Sequence, residues 1–198
     1  MKKNCVICGE KASIWTRQLI KDGYLCGSCE KKCSEHIHNY LEMSSLDIKK
    51  HLAYRKENLE SERLAKFEPT LSLGEYEILR IDKIHGYWLL KTEKRFNNIN
   101  PDIFLLSQIV DVKLIQKKEC LNGFNSSSNK KFQSLKNKFP IYGYWFYVVI
   151  KLNHPFFNKV TMRINKYIIS EKNQIEYLGT LRNAQKITET IKELAKIN

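Results

Sequence analysis

Three kinds of apolar patterning run along the chain, and each predicts a different element. Between 44 and 67, Ile48, Leu52 and Leu59 recur at helical spacing among Glu, Lys and Arg. Ser44 and Asp47 ahead of them have the form of a capping box, in which a serine side chain and a carboxylate three residues on satisfy each other's amides. The spacing predicts a helix from Ser44 to about Phe67, amphipathic along one docked stripe, with Pro69 and Gly74 punctuating its end. From Glu75 the period falls to two, the signature of strands. Strands are predicted over 76–81, 86–92, 109–115, 144–152 and around Val160, Met162 and Ile164; in the fourth, Tyr144, Phe146, Val148, Ile150 and Leu152 share a face. A last helix over 181–196 carries Ala184, Ile187, Ile191 and Leu194 as one stripe. Short antiparallel strands closed by a helix make the fold class α+β.

The first forty residues are patterned differently. Ser13–Ile20 is β-prone, Lys21-Asp22-Gly23 is a turn signal, and Tyr24-Leu25 re-enters an extended segment, so a hairpin is predicted. Glu30 to about Leu41 reads as helical. Residues 116–140, with Gly123 and Ser126-Ser127-Ser128-Asn129, read as a long, flexible, basic loop. The implied organisation is a module at 1–43, a connecting helix at 44–68 and a β-domain at 70–198.

Cysteine spacing adds chemistry to the first module. Cys5-Val6-Ile7-Cys8 and Cys26-Gly27-Ser28-Cys29 are two C-x-x-C pairs, seventeen residues apart. That is the pattern of a four-cysteine zinc site, whose tetrahedral shell leaves no open position for substrate. Cys5, Cys8, Cys26 and Cys29 are therefore the candidate ligands of one structural Zn²⁺. A redox reading of the pairs would need a βαβ context, which the pattern lacks. Cys33, His36 and His38 follow the second pair as spare donors beside a shell already complete, and read as packed or surface side chains. Cys120 reads as a free thiol in the polar loop.

At Cys5-x-x-Cys8-Gly9, Leu19-x-x-Asp22-Gly23 and Cys26-x-x-Cys29 the chain resembles an uncharacterised zinc-ribbon, treble-clef-like family found at the N-termini of bacterial and phage-like proteins, over roughly residues 4–55. The resemblance implies metal binding. Phe104-x-x-Ser107-Gln108-Ile109-x-Asp111-Val112 and Asn153-His154-Pro155-Phe156-Phe157 make residues of about 70–195 resemble a pleckstrin-homology-like or GRAM-like domain, which implies a bent sheet closed by a C-terminal helix.

The charge separates the two parts. The chain has 198 residues and a net charge of +13. Residues 1–40 hold seven Lys/Arg against four Asp/Glu, 41–70 hold six of each, and 71–198 hold twenty-one against eleven. Four thiolates around Zn²⁺ add two negative charges, so the first module is nearly neutral and the excess belongs to the β-domain. Such an excess favours a protein or other partner with an acidic surface, and nucleic acid as the alternative; a Lys-rich surface without a partner gives the same count. Aromatics interleave with the basic residues at 87–96 and 142–147, and strand alternation accounts for them as sheet core.

Other classes find no support. No apolar run is long enough for a transmembrane segment. Met1–Asn4 runs into the first pair without an apolar h-region, and a cytoplasmic, reducing location is expected. The five histidines form no H-E-x-x-H pattern, and no G-x-S-x-G, Walker A or G-x-G-x-x-G occurs. The sequence thus reads as a non-enzymatic, zinc-binding adaptor or regulator.

Overall fold

A computed structural model describes residues 4–37, 39–92, 100–121 and 141–197. It is α+β: an N-terminal cysteine cluster with a two-stranded hairpin, a helix, two four-stranded antiparallel sheets and a C-terminal helix. The predicted loop falls outside the described residues from 122 to 140, as do His38 and residues 93–99.

The N-terminal hairpin pairs β1 (Gln18–Ile20) with β2 (Gly23–Leu25). It is shorter than the β-prone run, because Ser13 forms a turn that takes the Thr16 and Arg17 amides. A four-residue α1 (Gly27–Glu30) follows. The helix expected from Glu30 to Leu41 does not form. Turns replace it, and a 3-10 turn follows at Tyr40–Glu42. The reason is tertiary: the Ser34 amide, which would continue the helix, donates to His51 Nε2 instead, and its hydroxyl anchors the turn to Asp102.

The capping box does start α2 (Ser45–Glu60), with the Ser44 hydroxyl accepting from the Asp47 amide and the Ser44 amide donating to the Asp47 carboxylate. Ser61 breaks the predicted helix, and α3 (Glu62–Lys66) is a separate short turn of helix. The buried stripe of α2 is Ile48, His51, Arg55 and Asn58, while Leu59 points to solvent. Three of those four side chains are polar, which is why the apolar pattern misplaced the stripe.

One sheet runs β3 (Leu71–Leu73), β4 (Ile78–Asp82), β5 (Tyr87–Lys91), β6 (Phe104–Leu105) in that order. The other is built around β8 (Tyr142–Leu152), with β7 (Ile109–Cys120) on one edge and β9 (Lys159–Arg163) and β10 (Ile169–Ser170) on the other. β7 continues through 116–120, inside the expected loop, because each of those residues pairs with β8 up to Cys120 opposite Tyr142. α4 (Gln174–Ala195) begins earlier than its apolar stripe, at an Asn173 cap whose side chain accepts from the Glu176 amide.

The main core lies between the sheets and under α4. Leu79, Ile81, Trp88 and Phe104 meet Phe146, Val148, Ile150, Val160 and Met162, and Ala184, Ile187 and Ile191 seal them. Each buried isoleucine contributes roughly 1.5–3 kcal/mol. A smaller core surrounds the cysteines with Ala12, Ile20, Leu25 and Ile48. α2 therefore serves both, through Ile48 on one and Tyr54 on the other. Among the described residues no helix is long and apolar enough to cross a membrane.

Candidate metal centre and basic sheet face

The first cysteine pair sits in a tight turn. The Cys5 amide donates to the Glu10 carbonyl and the Gly9 amide to that of Cys5; Gly9 has φ +77°, a left-handed position that glycine adopts without strain. Cys5 also bridges to Tyr24 on β2, which carries the chain into the second pair. Cys26 is the N-cap of α1 and Cys29 lies inside it. Turn and helix start thus converge four sulfurs, all within 4.8 Å of one another, with Cys8 exposed and the other three buried.

The spacing fits a metal ion. For a Zn–S bond of about 2.3 Å, the edge of a tetrahedron of sulfurs is roughly 3.8 Å; Cys8 and Cys26 sulfurs are 3.7 Å apart, and no disulfide joins any of the four. Electrostatics point the same way. Burial opposes ionisation of Cys5, yet amide hydrogen bonds from Cys26, Cys8 and Ile7 outweigh it and hold its pKa at about 6. Burial, then the neighbouring sulfurs, push the Cys29 thiol well up. Four crowded thiols cannot all ionise without a compensating cation, and a divalent ion supplies that compensation. The cluster is compatible with binding a metal ion such as zinc.

The other sulfurs stand apart from this group. Cys33 is fully buried and its thiol donates to the Cys29 carbonyl, so it packs. Cys120 is exposed at the end of β7 and does not lie in the polar loop. His36 packs against Phe104 and Phe157, and His154 Nδ1 accepts from the Phe156 amide.

A second cluster escaped the sequence reading. Asp102, 3% exposed, accepts from Ser34 Oγ at 2.6 Å and from Arg55 Nη1 at 2.7 Å. Arg55 Nη2 donates to the Asn100 carbonyl, and Asn58 donates to Asn100 Oδ1 and the Pro101 carbonyl. His51 receives the Ser34 amide and is surrounded by Tyr54, Phe156 and Phe157. Burial holds the His51 pKa down at about 4, with nearby Asp102 opposing and Arg55 and His154 adding to the effect. The only sequence signal was the 3-4-3 spacing of 48, 51, 55 and 58, unreadable while polar residues were assigned to solvent. This cluster ties the cysteine module and α2 to the β-domain.

The third feature is a charged face. Register puts Lys113, Ile115 and Lys117 of β7 beside Val149, Tyr147 and Trp145 of β8, and Thr161 and Arg163 beyond them on β9. Lys151 and Lys159 continue the face opposite Asp111. Alternate residues of the same strands, Val112, Phe146, Val148 and Met162, are buried in the core, so this face is the outward one. Trp145 and Tyr147 are therefore not sheet core, contrary to the reading of the 142–147 aromatics as core, whereas the face that alternation assigns inward, Tyr144, Phe146, Val148, Ile150 and Leu152, does pack on the core.

Comparison with known proteins adds one match. No curated protein and no solved structure matches the chain. Over residues 3–51, which include the four clustered cysteines, the chain is similar to a family described as a domain of unknown function (DUF4428).

Proposed function

We propose that the chain is a non-enzymatic binding protein. Cys5, Cys8, Cys26 and Cys29 hold one structural Zn²⁺ in a treble-clef-like module (1–43), α2 and its neighbours (44–68) connect, and a pleckstrin-homology-like β-domain (70–198) engages an anionic partner. Two antiparallel sheets closed by α4 support the domain reading.

One observation carries the binding role: Lys113, Lys117, Lys151, Lys159 and Arg163 share the outward face of a single sheet, against Asp111 and Glu119. Cations on one face of a rigid sheet raise the local concentration of an anionic partner and fix its orientation. The absence of enzymatic machinery remains part of the proposal. What supports it is that His154 and Ser34 are engaged in structural bonds.

The test is salt-dependent retention of the full chain on immobilised heparin. The double variant Lys113→Glu/Lys159→Glu should elute at clearly lower salt with unchanged thermal melting. Equal retention of variant and parent would reject the face as the binding surface.

A further inference from the structure

The outward face of the β7–β8–β9 sheet carries rings as well as cations. Trp145 and Tyr147 stand two residues apart on β8, both partly exposed, and Ile115 opposite Tyr147 is 46% exposed. Tyr76, from the segment before β4, joins them: the Arg163 guanidinium lies 4.3 Å from its ring centre and 5.2 Å from that of Trp145. On its other side Trp145 Nε1 donates to Glu119 at 3.1 Å, and Glu119 also pairs with Lys117 at 2.8 Å. Trp145 and Tyr76 are braced by fixed partners, and Trp145 and Tyr147 contribute nothing to the core, which the strand fills with its alternate residues Phe146 and Val148. Large rings held at a solvent face among cations call for a ligand with both flat faces and negative charge.

We propose that this face is a platform for single-stranded nucleic acid, with bases stacking on Trp145 and Tyr147 and phosphates meeting Lys113, Lys117, Lys151 and Lys159. This rests on the reading that the same face receives an anionic partner, and names the partner's class. Stacking on aromatic side chains combined with a cationic track is how single strands are held without sequence readout. Spacing agrees. Residues two apart on a strand are separated by about 6.6 Å, close to twice the roughly 3.4 Å rise of stacked bases, so adjacent bases splay apart, one to each ring. A duplex keeps its base faces covered and cannot use the rings. An acidic peptide would use the lysines alone.

The experiment measures binding of the full chain by fluorescence anisotropy to labelled oligo-uridine and oligo-thymidine of about a dozen nucleotides, to a duplex of equal length, and, by sedimentation, to phosphatidylserine vesicles, at low and at physiological salt. Single strands should bind, more weakly as salt rises, and the duplex should bind several-fold less well. Trp145→Ala should weaken single-strand binding roughly 5- to 150-fold, the range for loss of one stacked base. Trp145→Phe should restore most of it, and Tyr147→Ala should show an independent loss should Trp145→Ala melt early. Single-strand binding that is lost in Lys113→Glu/Lys159→Glu but unchanged in Trp145→Ala and Tyr147→Ala overturns the platform and leaves the anionic face standing. Binding to the vesicles alone, or equal affinity for duplex and single strand, does the same. Binding to none of these probes, together with unchanged heparin retention in the charge variant, overturns both.

Discussion

Arg55 of α2 and Asp102 ahead of β6 form an ion pair of 2.7 Å with side chains 7% and 2% exposed, and through it the helix that carries the cysteine module is bonded to the β-domain. The pair is not isolated, since Asp102 also receives the Ser34 hydroxyl. A buried pair gains stability only where additional hydrogen bonds satisfy its remaining atoms, and removing one partner leaves a buried charge uncompensated.

Asp102→Ala should therefore destabilise the folded chain by about 3–5 kcal/mol, more than any exposed pair such as Lys66–Glu62, for which about 0.3–0.5 kcal/mol is expected. Urea unfolding of Asp102→Ala and of Glu62→Ala compares the costs directly. A loss below about 1 kcal/mol for Asp102→Ala would mean that the network does not join the two parts.

Metal content offers a second check. Purified protein should carry about one Zn²⁺ per chain. Cys26→Ser should release it and raise amide exchange through the first module, because folding of such a module is coupled to metal binding. Cys33→Ser and Cys120→Ser should retain the metal, as neither sulfur belongs to the cluster. Metal loss in Cys33→Ser equal to that in Cys26→Ser would redraw the ligand set.

His51 makes stability depend on pH. Its ring is fully buried, its Nε2 accepts the Ser34 amide, and its pKa lies at about 4 against an ordinary 6.5. The unfolded state binds the proton more readily, so stability is complete above pH 6.5 and falls as pH drops toward 4, by on the order of 2–3 kcal/mol. Burial also lowers the His154 pKa, which adds in the same direction. Chemical unfolding at a series of pH values should show this slope, and His51→Gln should flatten it. An unchanged slope in the variant would assign the acid sensitivity elsewhere.

Two glycines should respond to alanine with opposite signs. Gly74 has φ +91°, and a Cβ there would run into the Glu77 carbonyl and the Met162 methyl. Gly74→Ala should cost about 1–3 kcal/mol or more. Gly179 lies inside α4 with nothing near its would-be Cβ. Gly179→Ala should gain about 0.5–1 kcal/mol. Thermal melting measures both, and a shift of the same sign in the two would contradict the backbone assignment.

Much of the architecture was legible because it rests on local periodicity. Alternation located β8 and its buried face, the 3-4-3 stripe located α4, and the Ser44–Asp47 capping box located the start of α2. The four cysteines were legible from spacing, since two residues between thiols in a turn or helix start leave both sulfurs on one side. Interactions between distant segments were not. The segment after Glu30 had helical character, yet Ser34 gave its amide to His51 and its hydroxyl to Asp102, which lies 68 positions away.

The sequence by itself determined the clustered cysteines, the α+β class and the location of the excess charge, because each is set by residues near one another in the chain or by a count. Tertiary structure alone decided which polar residues would be buried and which cations would gather around the outward aromatics of β8. Asp102 could enter the core only once Arg55 and Ser34 were brought to it, and Trp145 meets Lys117 and Arg163 only because β7 and β9 bring them to its side of the sheet.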